Sequence, residues 1–519
     1  MANRGGTWVT GRPCCQALWP LAAAVTLLAL GVSAHGVLQP HIVFIVADDV
    51  GWNDVPWHNA GLFSPNIARL ASEGVILEQY YAQPVCTPTR AAIMTGRYPY
   101  KLGRQGHVLD PLEPTGLTMN VPLLSEELSR RGYSTHALGK WHLGYCNWSY
   151  TPTIRGFDSF SGFYLGSQDH FLHINWAGGV MEGFDYRSNV TPRWDARGRY
   201  SSELLADDTI SLLAAHASDD RPLFLYLAFQ AVHAPLQVPP EYEVPCVKYN
   251  NSNRRLLCGM LNALDEAVGR IKKTLVNYGY WNNTLLIFTS DNGGQILEGG
   301  NNWPLRGNKN TLWEGGTRVP AFVAGPLLKK IGYSNNKIVH AVDWFPTLLG
   351  LAGEERVNGD LDGVDQWQVL SEDARQVRQE FVYNLRRRAH LEGAIRHGDY
   401  KFILGDGGHP NGWYPEPTSD ILSGNLDGRN ISRALYNIRN DPQERHDLSA
   451  TQPQIAARLE KRLRKLAEDM IPEDNPKDDP RGDPRRWGGL YAPGWCTVRE
   501  HTGVSSAALS AVLTSEGRQ

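Results

Sequence analysis

Cysteine is scarce in this chain of 519 residues, with seven in all. The stretch QPVCTPTRAAIMTGRYPY around Cys86 looks like neither a disulfide loop nor a zinc site. A large charge imbalance is also missing, since the formal net charge of -3 argues against a nucleic-acid binder. Internal repeats and long low-complexity segments are absent, although 32 prolines and 52 glycines imply many loops. Past residue 34 no stretch has the uninterrupted apolar length of a membrane helix, so we expect a soluble product. With 42% hydrophobic residues, a chain of this length can bury one large core plus a smaller one.

The amino terminus carries Arg4 and Arg12, then an apolar run over residues 17–32 that closes on Val32-Ser33-Ala34. These are the three regions of a secretory signal peptide, assigned to residues 1–34. Pro20 interrupts the run and argues against a signal anchor. Five Asn-x-Ser/Thr sequons agree with a secretory route, at Asn147, Asn189, Asn250, Asn282 and Asn430. Loss of the leader removes Cys14 and Cys15 and leaves an odd set, Cys86, Cys146, Cys246, Cys258 and Cys496. An odd cysteine on an oxidising route calls for an intermolecular bond or a thiol with its own chemistry. If Cys86 is set apart, the other four can form two bridges in any of three connectivities. Cys246 with Cys258 is the nearest pair in sequence.

Three apolar runs end in polar groups of catalytic type. HIVFIVADDVGWND leads into Asp48 and Asp49, RPLFLYLAFQAVHAP reaches His233, and NTLLIFTSDNGG reaches Asp291 and Asn292. Near-continuous apolar strands suit a sheet covered on both faces, whose carboxyl ends build ligand sites. Helical spacing marks residues 65–73, 123–131 and 261–276 between them. After Leu370 the composition changes, and SEDARQVRQE reads as a solvated connector. Beyond it come strand-like GAIRHGDYKFIL and ALYNIRNDP, then a helix with Ile455, Leu459, Leu463, Leu466 and Met470 along one stripe. Its basic face reads as solvated. We therefore expect a large domain over residues 35–370, a smaller one over 371–499 and a loosely held tail over 500–519.

Asp48, Asp49, Asp291 and Asn292 offer oxygen ligands only, which suit calcium or magnesium and not zinc. Each pair alone could merely cap a strand or start a turn. Arg90, Lys140, His142, His233 and Lys309 add the positive charge and donors that an anion held over a metal requires.

Here the residues resemble a known family. CTPTR followed by AAIMTGRYP resembles the first signature of the type I sulfatases, and GYSTHALGKWHLG their second. VADDVGWND, AVHAPLQVP, DNGGQILEGGNNWPLRG and DPQERHDLS extend the likeness from His41 to Leu448, most like the arylsulfatase B (N-acetylgalactosamine-4-sulfatase) group of animal enzymes. The resemblance implies an α/β, alkaline-phosphatase-like fold, a large mixed sheet flanked by helices with a smaller C-terminal α+β domain. It also implies that a formylglycine-generating enzyme converts Cys86 to Cα-formylglycine during secretion. Pro88 and Arg90 fit recognition by that partner, and Thr89 stands where the family prefers serine.

The implied activity is hydrolysis of sulfate esters on a sulfated carbohydrate. Asp48, Asp49, Asp291, Asn292 and modified residue 86 would hold one calcium ion. A hydroxyl of the hydrated aldehyde would attack sulfur, with Lys140, His233 and Lys309 on the sulfate oxygens. His233 or Lys309 would assist the departing sugar oxygen, His142 would take a proton from the second hydroxyl, and Arg90 would orient residue 86. Two rivals are weaker. Phosphoryl transfer on a related fold uses a Ser or Thr nucleophile and two zincs, and a glycan-binding pseudoenzyme would lack one of the ten expected residues. The substrate class implied is N-acetylgalactosamine 4-sulfate in a glycosaminoglycan, and the location is lysosomal or extracellular. The loops GSQDHFLHINWAGG and GDGGHPNGWYPEPTSD are expected to shape a sugar pocket, their aromatics either stacking on sugar or filling core.

Overall fold

The computed structural model describes residues 39–177, 181–354, 360–415 and 431–499. The expected signal peptide, the tail and Asn430 lie outside the described residues. From Gln39 onward the described residues form one compact unit.

A ten-stranded mixed sheet organises it. The strand His41–Ala47, apolar after its first residue, lies between Thr284–Ser290 and Leu223–Ala228 and runs parallel to both. Leu223–Ala228 in turn runs parallel to Ser134–Lys140. Alternation along a strand sends neighbouring side chains to opposite faces, and here both faces are core. Ile42, Phe44 and Val46 join one apolar cluster, while Val43, Ile45 and Ala47 join another. Burying each such side chain contributes about 1.5–3 kcal/mol, so neither face can be left bare. Helices Cys86–Thr95, Leu124–Arg130 and Trp344–Leu351 cover the first face. Pro65–Glu73, Ser201–His216 and Ser252–Asn277 cover the second.

Register brings the four parallel strands to a common edge. Ala47 pairs with Ser290, Val46 with Ala228, and Ala228 with Gly139. Gly139 has φ +94°, and a Cβ there would stand 2.0 Å from the Ala228 carbonyl oxygen, so no other residue lets these strands approach. Polar residues that follow the strands are thereby gathered at one end of the sheet.

The helix expected over 261–276 begins earlier, at Ser252. Asn251 caps it by accepting the Arg254 N–H at 2.9 Å, and Leu257, Met260 and Leu261 continue the buried stripe. Gly259 and the bonded Cys258 had obscured that turn in the sequence. Cys258 pairs with Cys246 as expected, Cys146 pairs with Cys496, and Cys86 stays free and buried. Closing a loop across a sequence separation of 350 residues is on the order of 5 kcal/mol in a chain-entropy account.

A four-stranded antiparallel sheet follows, Glu380–Arg387, Leu391–His397, Tyr400–Leu404 and Arg433–Asn437, with helix Pro453–Leu466 packed on it through Leu459 and Leu463. It shares the first apolar cluster with the large sheet. The helix turns 3-10 at Ala467, so Met470 lies past its end. Arg462 and Arg464 on its outer face meet Glu380 and Glu460, an ordinary solvated surface. The connector is less exposed than its composition suggested. Arg378 is buried and donates to both Asp343 carboxylate oxygens and to the Asp362 carbonyl.

A buried charge cluster ties the small sheet to the large one. Lys401 lies 3.0 Å from Glu314 and 2.8 Å from Glu444, all three side chains fully buried. Tyr81 and Tyr383 donate to Glu314 at 2.8 Å each. Lys401→Met strands two carboxylates in the interior and is expected to lower unfolding free energy by about 3–5 kcal/mol. Denaturant titration checks this against Arg464→Ala, a surface change expected to stay within about 0.5 kcal/mol.

Candidate active site

All ten candidate residues meet at the carboxyl edge of the four parallel strands or border it. Asp48 and Asp49 follow the central strand, and Asp291 and Asn292 follow its neighbour. Lys140 is the last residue of its strand, with His142 two residues on, and His233 follows Leu223–Ala228 by a short loop. Cys86 is the first residue of helix Cys86–Thr95, and Arg90 is one turn further along.

Three carboxylates and three fixed cations interlock here. Arg90 donates through two nitrogens to Asp291 Oδ2, at 3.1 and 2.8 Å, and through a third to the Lys140 carbonyl at 3.0 Å. Lys140 Nζ is 2.5 Å from Asp48 Oδ2, and Lys309 Nζ is 2.8 Å from Asp49 Oδ2. With Asp48, Asp49 and Asp291 ionised against Arg90, Lys140 and Lys309, the formal charges cancel. Burial and the Asp291 carboxylate nonetheless push Asp48 up to about 7, against the pull of Lys140. Burial acts the same way on Asp49, but Lys309 and its hydrogen bonds overcome it and bring the group down to about 2. Asp291 is likewise held below the usual carboxylate range, Arg90 and Lys140 outweighing its burial. The Cys86 thiol is pushed up by burial and by Asp291 and Asp48.

Ligand-type atoms of Asp48, Asp49, Cys86 and His233 all lie within 4.8 Å of one another, close enough to share a metal ion. Asp291 adjoins this group, its Oδ1 accepting the Asp49 N–H at 3.4 Å. Asn292 donates from Nδ2 to Asp49 Oδ1 at 2.6 Å, while its own Oδ1 is buried without a partner among the described residues. A buried carbonyl oxygen left unpaired costs about 1–3 kcal/mol. Its presence beside three carboxylates fits a hard cation as the missing partner.

The histidines differ in what they leave open. His142 Nε2 lies 3.1 Å from the Leu109 carbonyl, which can only accept, so that nitrogen carries the proton. Nδ1 is then a bare acceptor, buried without a partner among the described residues. Burial, Lys140 and Arg90 hold the ring well below its ordinary pKa. His233 bonds the Ala234 carbonyl through Nδ1 at 2.7 Å and turns Nε2 to within 3.8 Å of Asp49. Burial and Lys309 lower it to about 3, so Lys309 is the charged partner of Asp49.

A cleft of about 830 Å³ opens over this cluster, with Cys86, His142, His233 and Lys309 on its lining. Arg90, Lys140, Asp48 and Asp291 are fully buried side chains and do not line the cleft.

Sequence reasoning missed the supports. Thr87 donates to the His142 carbonyl at 3.1 Å and accepts from Leu109 N–H at 3.2 Å, joining both histidine contacts to the Cys86 helix. The Thr89 hydroxyl accepts the Gln83 N–H at 2.9 Å, a bond that the serine preferred at this position could also make. Arg306 stacks 3.6 Å over Trp313, faces Trp413 at 4.9 Å and donates to the Asn411 carbonyl at 2.6 Å. It thereby fixes the loop that carries Lys309. The two sugar-pocket loops divide: Trp176 lines the cleft and is exposed, whereas Trp413 serves Arg306 and Tyr414 is buried. Among the sequons, Asn189, Asn250 and Asn282 are exposed, and Asn147 is half-buried, its amide donating to the Cys496 carbonyl.

The sulfatase family model matches residues 40–354. The chain belongs to the sulfatase family. This sulfatase is 39% identical to mouse arylsulfatase J over 82% of its own length and 76% of that protein's. Mouse N-acetylgalactosamine-6-sulfatase is 29% identical over 82% of this sulfatase and 85% of its own length. The crystal structure of Ps i-CgsB in complex with k-i-k-neocarrahexaose superposes with a TM-score of 0.73 at 27% identity, covering 92% of this sulfatase and 98% of that chain. The fold is thus the expected alkaline-phosphatase-like one, and the enzyme is a sulfuric ester hydrolase.

Gly166 lies against the His142 ring, where a Cβ would stand 2.5 Å from it. Gly166→Ala displaces the imidazole and is expected to lower turnover of an aryl sulfate by roughly 10²-fold, the loss typical of a small misplacement. Steady-state kinetics, with thermal melting to check that the fold is kept, measures it.

Proposed function

We propose that this sulfatase hydrolyses the sulfate ester of a glycosaminoglycan sugar of the N-acetylgalactosamine 4-sulfate type, using formylglycine made from Cys86 and one calcium ion. The observation that carries the reading is the placement of Cys86, the free cysteine, within reach of Asp48 and Asp49 on the floor of a cleft. A lone protonated thiol has no evident purpose among carboxylates, whereas an oxygen-bearing residue there completes a hard ligand set. The 4-sulfate rests on the resemblance to the arylsulfatase B group. Likeness to an N-acetylgalactosamine-6-sulfatase and to Ps i-CgsB, solved in complex with k-i-k-neocarrahexaose, supports a sugar substrate more broadly. A different sulfated sugar is the alternative.

Asp48, Asp49, Asp291, Asn292 and residue 86 would hold the calcium ion, which would supply Lewis acidity toward a sulfate oxygen. Formylglycine would supply, as its hydrate, one hydroxyl to attack sulfur as the sugar oxygen leaves, and a second that, on losing its proton, would become the carbonyl oxygen while the C–O bond to the transferred sulfate breaks and sulfate departs. Lys309 and His233 face the cleft and would bind the remaining sulfate oxygens, with either one assisting the sugar oxygen as it departs. Lys140, held on Asp48 below, contributes its charge to the same anion. His142 would accept the proton of the second hydroxyl at Nδ1. Arg90 clamps Asp291 and so orients both that ligand and the start of the Cys86 helix.

Residues 35–370 would carry the chemistry and residues 371–499 close one side of the cleft. The chain would pass through the secretory pathway, meet the formylglycine-generating enzyme and take glycans at Asn147, Asn189, Asn250, Asn282 and Asn430. It would act in lysosomes or outside the cell.

Cys86→Ala should abolish turnover of an artificial aryl sulfate while secretion stays near normal. The tryptic peptide holding residue 86 should carry the mass of formylglycine. Retained activity, or an unmodified cysteine in active enzyme, overturns the mechanism. Asp291→Ala should remove the thermal stabilisation that added calcium gives the wild-type protein, and an unchanged calcium-dependent melting shift counts against that ligand. Desulfation of a panel of defined glycosaminoglycan oligosaccharides tests the 4-sulfate assignment.

A further inference from the structure

The cleft is larger than a single sulfate ester requires. At about 830 Å³ it falls high in the range of ~300–1,000 Å³ that buries drug-sized ligands. Groups beyond the sulfated ring therefore meet its walls. One wall is acidic, with Asp110 on the loop 106–112 and Asp478 on a segment bound to that loop by the Asp479 N–H to the Leu112 carbonyl, at 2.9 Å. The other is basic and belongs to the small sheet. Strand Glu380–Arg387 ends at the cleft, where Arg386 on the strand and Arg388 just past its end lie on the lining, whereas Arg387 does not.

One of these arginines is uncommitted among the described residues, and the other only partly committed, to Glu392. Arg388 is exposed, and its guanidinium makes no ion pair or hydrogen bond with the described residues. Arg386 gives its Nε to Glu392 at 3.0 Å, which leaves its terminal nitrogens for another acceptor. A guanidinium stays charged at any physiological pH, and its planar fork matches a carboxylate or a sulfate in two parallel hydrogen bonds. Trp176, exposed on strand Ile174–Ala177 and lining the same cleft, offers a flat apolar face to a sugar ring.

We propose that Arg386 and Arg388 form a second anion-recognition point, which reads a carboxylate or second sulfate on the sugar next to the one that is desulfated. It rests on the sulfated-glycan reading above and makes that substrate polyanionic. The acidic wall would repel the same group, so the two walls together fix the direction in which the sugar chain leaves the cleft.

The test uses full-length enzyme secreted from cells that modify Cys86, as wild type, Arg388→Ala and Arg386→Ala/Arg388→Ala. Four substrates are compared: an aryl sulfate, a monosulfated disaccharide with a uronate neighbour, its carboxyl-reduced counterpart, and that counterpart with a second sulfate. KM should rise about tenfold on substrates with a second anion, the size expected for losing a charged hydrogen bond. The kcat values, and all constants on the aryl sulfate and the reduced monosulfate, should be unchanged. A rise confined to the uronate substrate names the carboxylate, and one confined to the disulfated substrate names the sulfate. An equal rise on all four substrates, or disaccharide cleavage with no rise in either variant, overturns the proposal alone. Wild type that cleaves the aryl sulfate and no disaccharide overturns the glycan reading and this proposal with it. Arg388→Lys should recover part of the lost affinity, which a change in folding would not produce.

Discussion

Mutual neutralisation of buried charge is the constraint on which the site depends. Asp48, Asp49 and Asp291 stand at the ends of two adjacent parallel strands, where chain direction alone crowds three negative charges into the interior. Unpaired, each would cost several kcal/mol to desolvate. Arg90, Lys140 and Lys309 arrive from three other segments and offset them. With the cations in place the cluster is formally neutral, so a divalent ion held there would make it doubly positive. A sulfate monoester and one ionised oxygen on residue 86 would return it to zero. On the proposed reading, the positive field that holds the substrate would come from the metal and not from an excess of basic residues.

The sheet supplies the precision. Four parallel strands with matched register place their ends at one level, and Gly139 permits the closeness that this requires. Helix Cys86–Thr95 is anchored from below by Arg90 and from the side by Thr87, so residue 86 cannot drift relative to the carboxylates. On the far side, the Glu314–Lys401–Glu444 cluster and the Arg306–Trp313 stack hold the loop that bears Lys309. The small sheet therefore takes part in the site through its supports as well as through its wall.

Much of this was legible in the sequence because it is local. Strand runs that end in Asp-Asp and Asp-Asn, an odd thiol before Pro88 and Arg90, and the 65–73 helix need no knowledge of distant neighbours. Cys246 with Cys258 was readable for the same reason. Contacts across long separations were not readable. Nothing near Lys140 announces Asp48 as its partner, and nothing near Gly166 announces the His142 ring. Arg378 looked like part of a solvated run because its partner Asp343 lies in another element. The aromatics of the two pocket loops looked alike in composition, yet Trp176 remained open and Trp413 was taken up by Arg306. Composition gives the type of a side chain, and only the topology decides which face it meets.

The bond between Cys146 and Cys496 also governs how the molecule responds to proteases. Asp48, Asp49, Cys86, Arg90, Lys140 and His142 precede Cys146, whereas His233, Asp291, Asn292 and Lys309 lie inside the loop it closes. A single peptide bond cut anywhere between the two cysteines leaves both fragments covalently joined through sulfur. The two halves of the candidate site then remain covalently linked, and a nicked enzyme separates only when it is also reduced.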